Sequence, residues 1–368
     1  MFARGVVDDL RAALPAWLAA RVVVGASWVG ASAMTRRIPM PEPVRRHVAQ
    51  GVLGWDAQRY VQIAERGYEA LPLVELRFFP LFPLTIRAFD RLLPGGAGWV
   101  ALLVANSAAL VFGAVVHRLA LVETGDRQLA RRGAWMAAMV PAGFVLVWGY
   151  SEALWGVVAT GAVLCARRRR WWAAAGLGLL CGGLRPVGLL VSLPLAVEAI
   201  RDLRGARGGP AMAAVAAPLA GAGAYLWWVG ARFGDPLLPY TIQQRGSFRG
   251  APVDPVTALA GPLAGLLRGE LTIESLRVVW AVLLVALVVV SFRRWPASYG
   301  MLAATTLVVA LCTTRLGSFE RYGFSTFAIP LALASVSARP SVERAVLVLG
   351  GATMGVYGTV ALMGGYVP

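Results

Sequence analysis

Stretches of apolar sequence long enough to cross a bilayer recur along this chain, and clusters of arginine separate them. A spanning helix needs about 20 apolar residues, fewer where the hydrocarbon is thin. Residues 14–34, 99–116, 133–149, 153–166, 211–229, 278–292, 297–313, 324–336 and 345–363 are the candidates. Only 15% of residues are charged and 58% are hydrophobic, whereas a soluble domain carries roughly 25% charged residues. The chain is therefore predicted to be an all-α polytopic membrane protein, a single membrane domain over residues 1–368 without internal repeat or coiled-coil heptads.

The 35 basic residues outnumber the 19 acidic ones, for a net charge of +16. A basic excess can signal nucleic acid, but here it falls between apolar segments, at 118–132, 167–170, 201–207, 293–294 and 339–344. Such clusters mark loops that stay in the cytoplasm, and no nucleic-acid partner is expected. The rule places the N-terminus, with Arg4 and Arg11, inside, and residues 35–98, 232–275 and 314–322 and the C-terminal Pro368 outside. The expected location is the cell membrane, with multiple crossings. Asp8 and Asp9 precede the first apolar run, so a cleaved signal peptide is not expected.

Two stretches resist simple threading. Residues 78–93 are apolar but short, carry Arg87, Asp90 and Arg91, and are read as an interfacial or re-entrant helix. Within them Phe78-Phe79-Pro80-Leu81-Phe82-Pro83 fits neither a helix interior nor a strand, because its two prolines interrupt either hydrogen-bond ladder. Residues 171–200 are basic at both ends and broken in the middle by Arg185-Pro186, which predicts a hairpin. Each arm of about 14 residues reaches roughly 21 Å into a hydrocarbon core of about 30 Å. Arg185 would then lie inside the membrane, where an ionisable residue is by default a functional-site hypothesis; a stabilising pair with a carboxylate is the alternative. In all, about 11 transmembrane or re-entrant helices are expected.

This threading collects Trp55, Asp56, Tyr60, Glu65, Phe79, Tyr150-Ser151-Glu152, Asp235 and Glu320-Arg321-Tyr322 at the extracytoplasmic mouth, with Arg185 below. Asp56 either caps a helix over 57–66 or serves as a general base whose pKa is raised by its neighbour Trp55. Glu152 either caps the following helix or faces the cavity. Arg321 suits a lipid phosphate through its planar fork, or else snorkels to the interface. Nucleotide-binding loops, GxSxG and HExxH are absent, and His47 and His117 are the only histidines. Neither a metal nor another cofactor is expected. Cys165, Cys181 and Cys312 lie in apolar segments and read as packing residues.

Four ordered motifs carry a family resemblance: Trp55-Asp56 with Tyr60, Ile63-Ala64 and Gly67-Tyr68; Phe78-Phe79-Pro80-Leu81-Phe82-Pro83-Leu84; Tyr150-Ser151-Glu152-Ala153-Leu154; and Gly183-Leu184-Arg185-Pro186-Val187-Gly188. Together with weaker echoes at Arg232-Phe233-Gly234-Asp235-Pro236 and Glu320-Arg321-Tyr322, they resemble the PIG-V-like mannosyltransferase family. That resemblance implies a GT-C-type glycosyltransferase with short interfacial helices in its first extracytoplasmic loop. Its donor would be a polyprenyl-phosphate sugar, typically mannose, and its acceptor a lipid, glycolipid or polysaccharide. It makes Asp56 the base, Arg185 and Arg321 the donor-phosphate ligands, and Trp55, Arg59, Tyr60, Phe79, Glu152 and Tyr322 substrate-binding residues. Arg59 departs from the pattern by bringing a cation close to Asp56. The alternative is a transporter or flippase for a polyprenyl-linked or other anionic lipid, which would also place arginines in the membrane.

Overall fold

The computed structural model describes residues 2–200, 202 and 208–366. Of the basic cluster expected at 201–207 only Asp202 is among them; Pro368 and the Arg4 side chain lie outside the description. The helices follow one another as α1 (Phe2–Arg37), α2 (Glu42–Gln50), α3 (Asp56–Arg66), α4 (Leu81–Asp90), α5 (Gly96–Thr124), α6 (Arg127–Ala138), α7 (Glu152–Arg167), α8 (Trp171–Leu184), α9 (Ser192–Ala199), α10 (Gly208–Phe233), α11 (Leu238–Gln243), α12 (Pro255–Leu267), α13 (Ile273–Arg294), α14 (Ala297–Leu311), α15 (Phe319–Phe324), α16 (Ala328–Val336) and α17 (Pro340–Leu362). No strand occurs among the described residues; Pro252 and Thr313 form one isolated antiparallel bridge. By length and composition α1, α5, α10, α13 and α17 can each cross a membrane, and several shorter apolar helices accompany them.

The chain packs as two compact units. The first gathers Met1–Gln62, Ile86–Val157 and Pro330–Pro368. In it α1 lies against α5, α6 and α17, with Ala13, Ala114 and Ala134 at one close approach, the small-residue contact that lets apolar helices meet in lipid. The apolar stretch 133–149, expected as a spanning helix, is one only as far as Ala138. Pro141 has no N–H to continue the helix and disfavours helical backbone at Val140. Residues 139–151 then run irregularly, apart from a short 3₁₀ turn at Gly143–Leu146, and almost all of them are buried.

Carbonyls freed by that break need donors, and side chains of α1 and α5 supply them. Asn106 Nδ2 donates to the Val147 carbonyl at 2.9 Å, and Arg21 Nη2 to that of Leu146 at 3.3 Å. The two side chains are themselves joined, Arg21 Nε donating to Asn106 Oδ1 at 2.9 Å. The Arg21 guanidinium also sits 4.1 Å above the Trp17 ring. An arginine in the middle of a long apolar helix is thereby satisfied by neutral acceptors and an aromatic face.

The second unit comprises Ile63–Thr85 and Val158–Ile329. Helix α8 ends at Leu184, Arg185 is extended at φ −153°, and a 3₁₀ turn over Pro186–Val191 leads back into α9. The expected hairpin is therefore present, and its ends are tied together. Trp171 Nε1 donates to Asp202 Oδ2 at 2.8 Å, and Arg167 pairs with Glu198 at 3.2 Å. Helix α10 lies so close to α8 that a Cβ on Gly182 would strike the Pro218 carbonyl, and one on Gly221 the Leu179 carbonyl.

Two further expectations change. Residues 324–336 are not one helix: α15 closes at Phe324, and α16 opens at Ala328 with Pro330 in its first turn, where the missing N–H costs nothing. The supposed loop 232–275 contains α11 and the apolar α12, whose N-cap Asp254 accepts from the Val256 and Thr257 amides. The Phe-Pro cluster at 78–83 keeps its prolines out of any helix interior, as expected, because Pro80 precedes α4 and Pro83 lies in its first turn.

Candidate functional site

In the first unit, the element that carries Asp56 is launched from an unusual backbone. Trp55 has φ +55°, a left-handed conformation that is a genuine outlier for a bulky residue and costs about 1–3 kcal/mol. Two contacts hold it there. Its Nε1 donates to the Ala361 carbonyl at 2.9 Å, and its ring stacks on His47 with centroids 4.6 Å apart. The chain can then turn sharply into α3, whose first residue is Asp56.

The irregular 148–151 segment braces that helix start. Tyr150 is fully buried, and its hydroxyl accepts from the Asp56 amide at 3.3 Å. One turn along α3, the Tyr60 hydroxyl lies 2.9 Å from Ser151 Oγ. Glu152 opens α7 and is 2% exposed. The unit thus assembles a half-buried carboxylate, a second buried one and two tyrosine hydroxyls on a rigid support. Arg59 lies on the exposed side of α3.

In the second unit, three arginines surround one aromatic ring. The guanidinium carbons of Arg249, Arg185 and Arg321 lie 4.0, 5.1 and 5.4 Å from the Tyr322 centroid. Arg185 and Arg321 are 4% and 7% exposed, which in a protein of this composition demands strong compensation. Cation–π contact supplies part of it. Glu320, wholly buried, has Oε1 3.9 Å from Arg277 Nε.

Tyr322 owes its position to a second left-handed residue, Ser318 at φ +60°, which turns the chain into α15. Arg249 arrives from far along the sequence. Thr314 N donates to the Ala251 carbonyl at 3.1 Å, and Arg315 N to that of Arg249 at 2.9 Å. This short antiparallel pairing fixes the loop beside α15. The preceding residue, Phe248, faces Arg77, whose guanidinium lies between the Phe78 and Phe248 rings at 4.5 and 4.4 Å. Burial pushes the Arg249 guanidinium below its ordinary pKa; Arg321 and Arg185 push it the same way, and Tyr322 opposes them.

The predicted residues thus divide by role. Within the second unit Arg185, Arg321 and Tyr322 come together, and within the first Asp56, Tyr60, Tyr150 and Ser151 do. Phe79 is different: it is fully buried, 4.8 Å from the Tyr225 ring in a core with Leu76, Val229 and Ile242. Glu65 and Asp235 are exposed, and Asp235 accepts from the Leu237 amide in its own turn. Sequence reading missed Arg249, since nothing local in Arg245-Gly246-Ser247-Phe248-Arg249 reveals the pairing with residues 312–315. Among the described residues no group of three or more His, Cys, Asp or Glu side chains could hold a metal ion.

Among known proteins, no family model and no curated sequence matches this chain.

Proposed function

We propose that the protein is a membrane glycosyltransferase of GT-C type, related to the PIG-V-like mannosyltransferases, using a polyprenyl-phosphate sugar donor. The observation that carries this reading is the cluster of two buried arginines and the half-buried Arg249 on Tyr322 within a helical chain of membrane composition. Arginine offers planar, bidentate recognition of phosphate oxygens, and a lipid phosphate is the anion most at home in such a chain.

In this reading Arg185 and Arg321 bind the donor phosphate and Asp56 is the general base. The acceptor hydroxyl oxygen bonds to the sugar C1, with inversion, as its proton passes to the Asp56 carboxylate. The bond from C1 to the phosphate oxygen breaks, and its electron pair leaves with the polyprenyl phosphate. The protein positions the two oxygens and neutralises charge on the leaving group. Trp55, Tyr60, Glu152 and Tyr322 shape the substrate sites, and Arg59 suits an anionic acceptor. The orientation, with this chemistry on the extracytoplasmic side and the N-terminus in the cytoplasm, belongs to the same proposal.

The test is purified protein in lipid nanodiscs, given radiolabelled polyprenyl-phosphate-mannose and a lipid extract. Transfer of label with release of polyprenyl phosphate is expected. Label that crosses liposome membranes with its donor bond intact would identify a transporter instead and refute the proposal.

A further inference from the structure

Arg249 is the arginine that the resemblance does not account for. Its guanidinium is the nearest of the three to Tyr322, at 4.0 Å. Its Nη2 is buried and donates to no acceptor among the described residues. Its backbone is pinned on both sides of the side chain, Arg249 N donating to the Gln243 carbonyl at 3.0 Å and Arg315 N to that of Arg249 at 2.9 Å. The Arg249 cation is thus held against Tyr322, whose hydrogen bond favours it, while Arg185 and Arg321 repel it. A fixed, desolvated donor beside like charges is an arrangement that an anion of high charge relieves.

We infer that Arg249 makes this cluster selective for a phosphate bearing two negative charges, a phosphomonoester, over a singly charged phosphodiester. The inference rests on the proposed function and deepens it. A polyprenyl-phosphate sugar is a diester with one negative charge, and the polyprenyl phosphate that leaves is a monoester gaining a second. A third cation that acts on the second charge binds the leaving group in the transition state more strongly than the donor in the ground state, and only such a difference accelerates the chemical step.

The experiment measures binding of two probes to the full-length protein in nanodiscs: farnesyl monophosphate and its methyl diester. Wild type is expected to bind the monoester about tenfold more tightly or better, the worth of one charge-assisted hydrogen bond. That preference should fade between pH 7.5 and pH 5, because the second ionisation of a phosphate monoester lies near pH 6, a rough value. Arg249→Gln should remove most of the preference by weakening monoester binding much more than diester binding, and Arg249→Lys should restore part of it.

Equal affinity for the two probes in wild type overturns the inference, and so does an unchanged preference in Arg249→Gln. The wild-type pH series keeps it testable if that variant does not fold. Inorganic phosphate added as competitor separates the sources: displacement of the monoester only at large excess supports a lipid-borne phosphate, and displacement at equal concentration supports a free dianion. Preference without sugar transfer would leave the dianion site standing and sink the glycosyltransferase reading; transfer without preference would do the reverse.

Discussion

Replacing Asn106 with alanine tests whether side chains hold the broken segment after α6 in place. The substitution removes the amide that donates to the Val147 carbonyl at 2.9 Å and accepts from Arg21 Nε at 2.9 Å. Each buried polar group left without a partner costs about 1–3 kcal/mol. Two such groups are stranded. Arg21 is only half-buried and can recover part of its loss, and alanine returns at most roughly 0.7 kcal/mol of helix propensity. A net destabilisation of about 2–4 kcal/mol is expected. Arg21→Met should cost a similar amount, since it strands Asn106 Oδ1 and the Leu146 carbonyl. Because the two changes share one hydrogen bond, the double variant should fall short of their sum by about 1 kcal/mol or more. Unfolding in mixed detergent micelles, followed by tryptophan fluorescence, gives the four values. An Asn106→Ala variant within about 0.5 kcal/mol of wild type, or strict additivity, would refute the brace.

Other outcomes follow from the same structure. Asp56→Asn should leave the protein folded and lower sugar transfer about 10²- to 10⁴-fold, the usual worth of a general base; wild-type turnover would remove Asp56 from that role. Trp55→Ala keeps the left-handed backbone but loses the Ala361 hydrogen bond and the His47 stack, so proteolysis near residues 51–56 should accelerate, and unchanged cleavage would count against those two anchors. The side-chain hydrogen bond from Arg232 holds the Glu69 carboxyl below the usual carboxylate range. The pair's contribution is therefore present above the unfolded pKa and lost as pH falls through the folded one; the gap in melting temperature between wild type and Glu69→Gln should be small at pH 7, shrink in high salt, and close in acid. With native cysteines replaced, Arg245→Cys should react with an impermeant thiol reagent added outside cells and Arg168→Cys should not; reversed labelling would invert the proposed orientation.

What the sequence reveals and conceals here follows from the reach of each interaction. The long spans were legible because hydropathy is local: residues 14–34, 99–116, 211–229, 278–292 and 345–363 each fall within, or within one residue of, the helices that form. The hairpin at Arg185-Pro186 was legible because the charges at its ends break the apolar run. The break after Ala138 was not, although Pro141 stands in plain view. Hydropathy cannot report that Arg21 and Asn106, over 30 residues earlier, supply the donors that make an irregular path tolerable. The same limit hid α12, an apolar helix with Pro262 inside it, and Arg249, whose neighbours come from residues 312–322. Within the candidate site the left-handed Trp55 and Ser318 were equally invisible, because neither residue type announces that backbone.

The brace on the broken segment also bears on how the chain is made. Residues 133–149 read as an ordinary spanning helix to any machinery that sorts segments by hydrophobicity, yet the α-helix ends at Ala138 and the folded path unwinds most of the stretch. Arg21 and Asn106 precede that stretch in the chain, so synthesis delivers the donors before the carbonyls that need them emerge. Gene order thereby spares this membrane segment a period in lipid with its backbone unsatisfied. A circular permutant that starts at residue 126 would present the segment before α1 and α5 exist. Such a chain should insert residues 133–149 as a continuous helix, or accumulate as an insertion intermediate cleared by quality control.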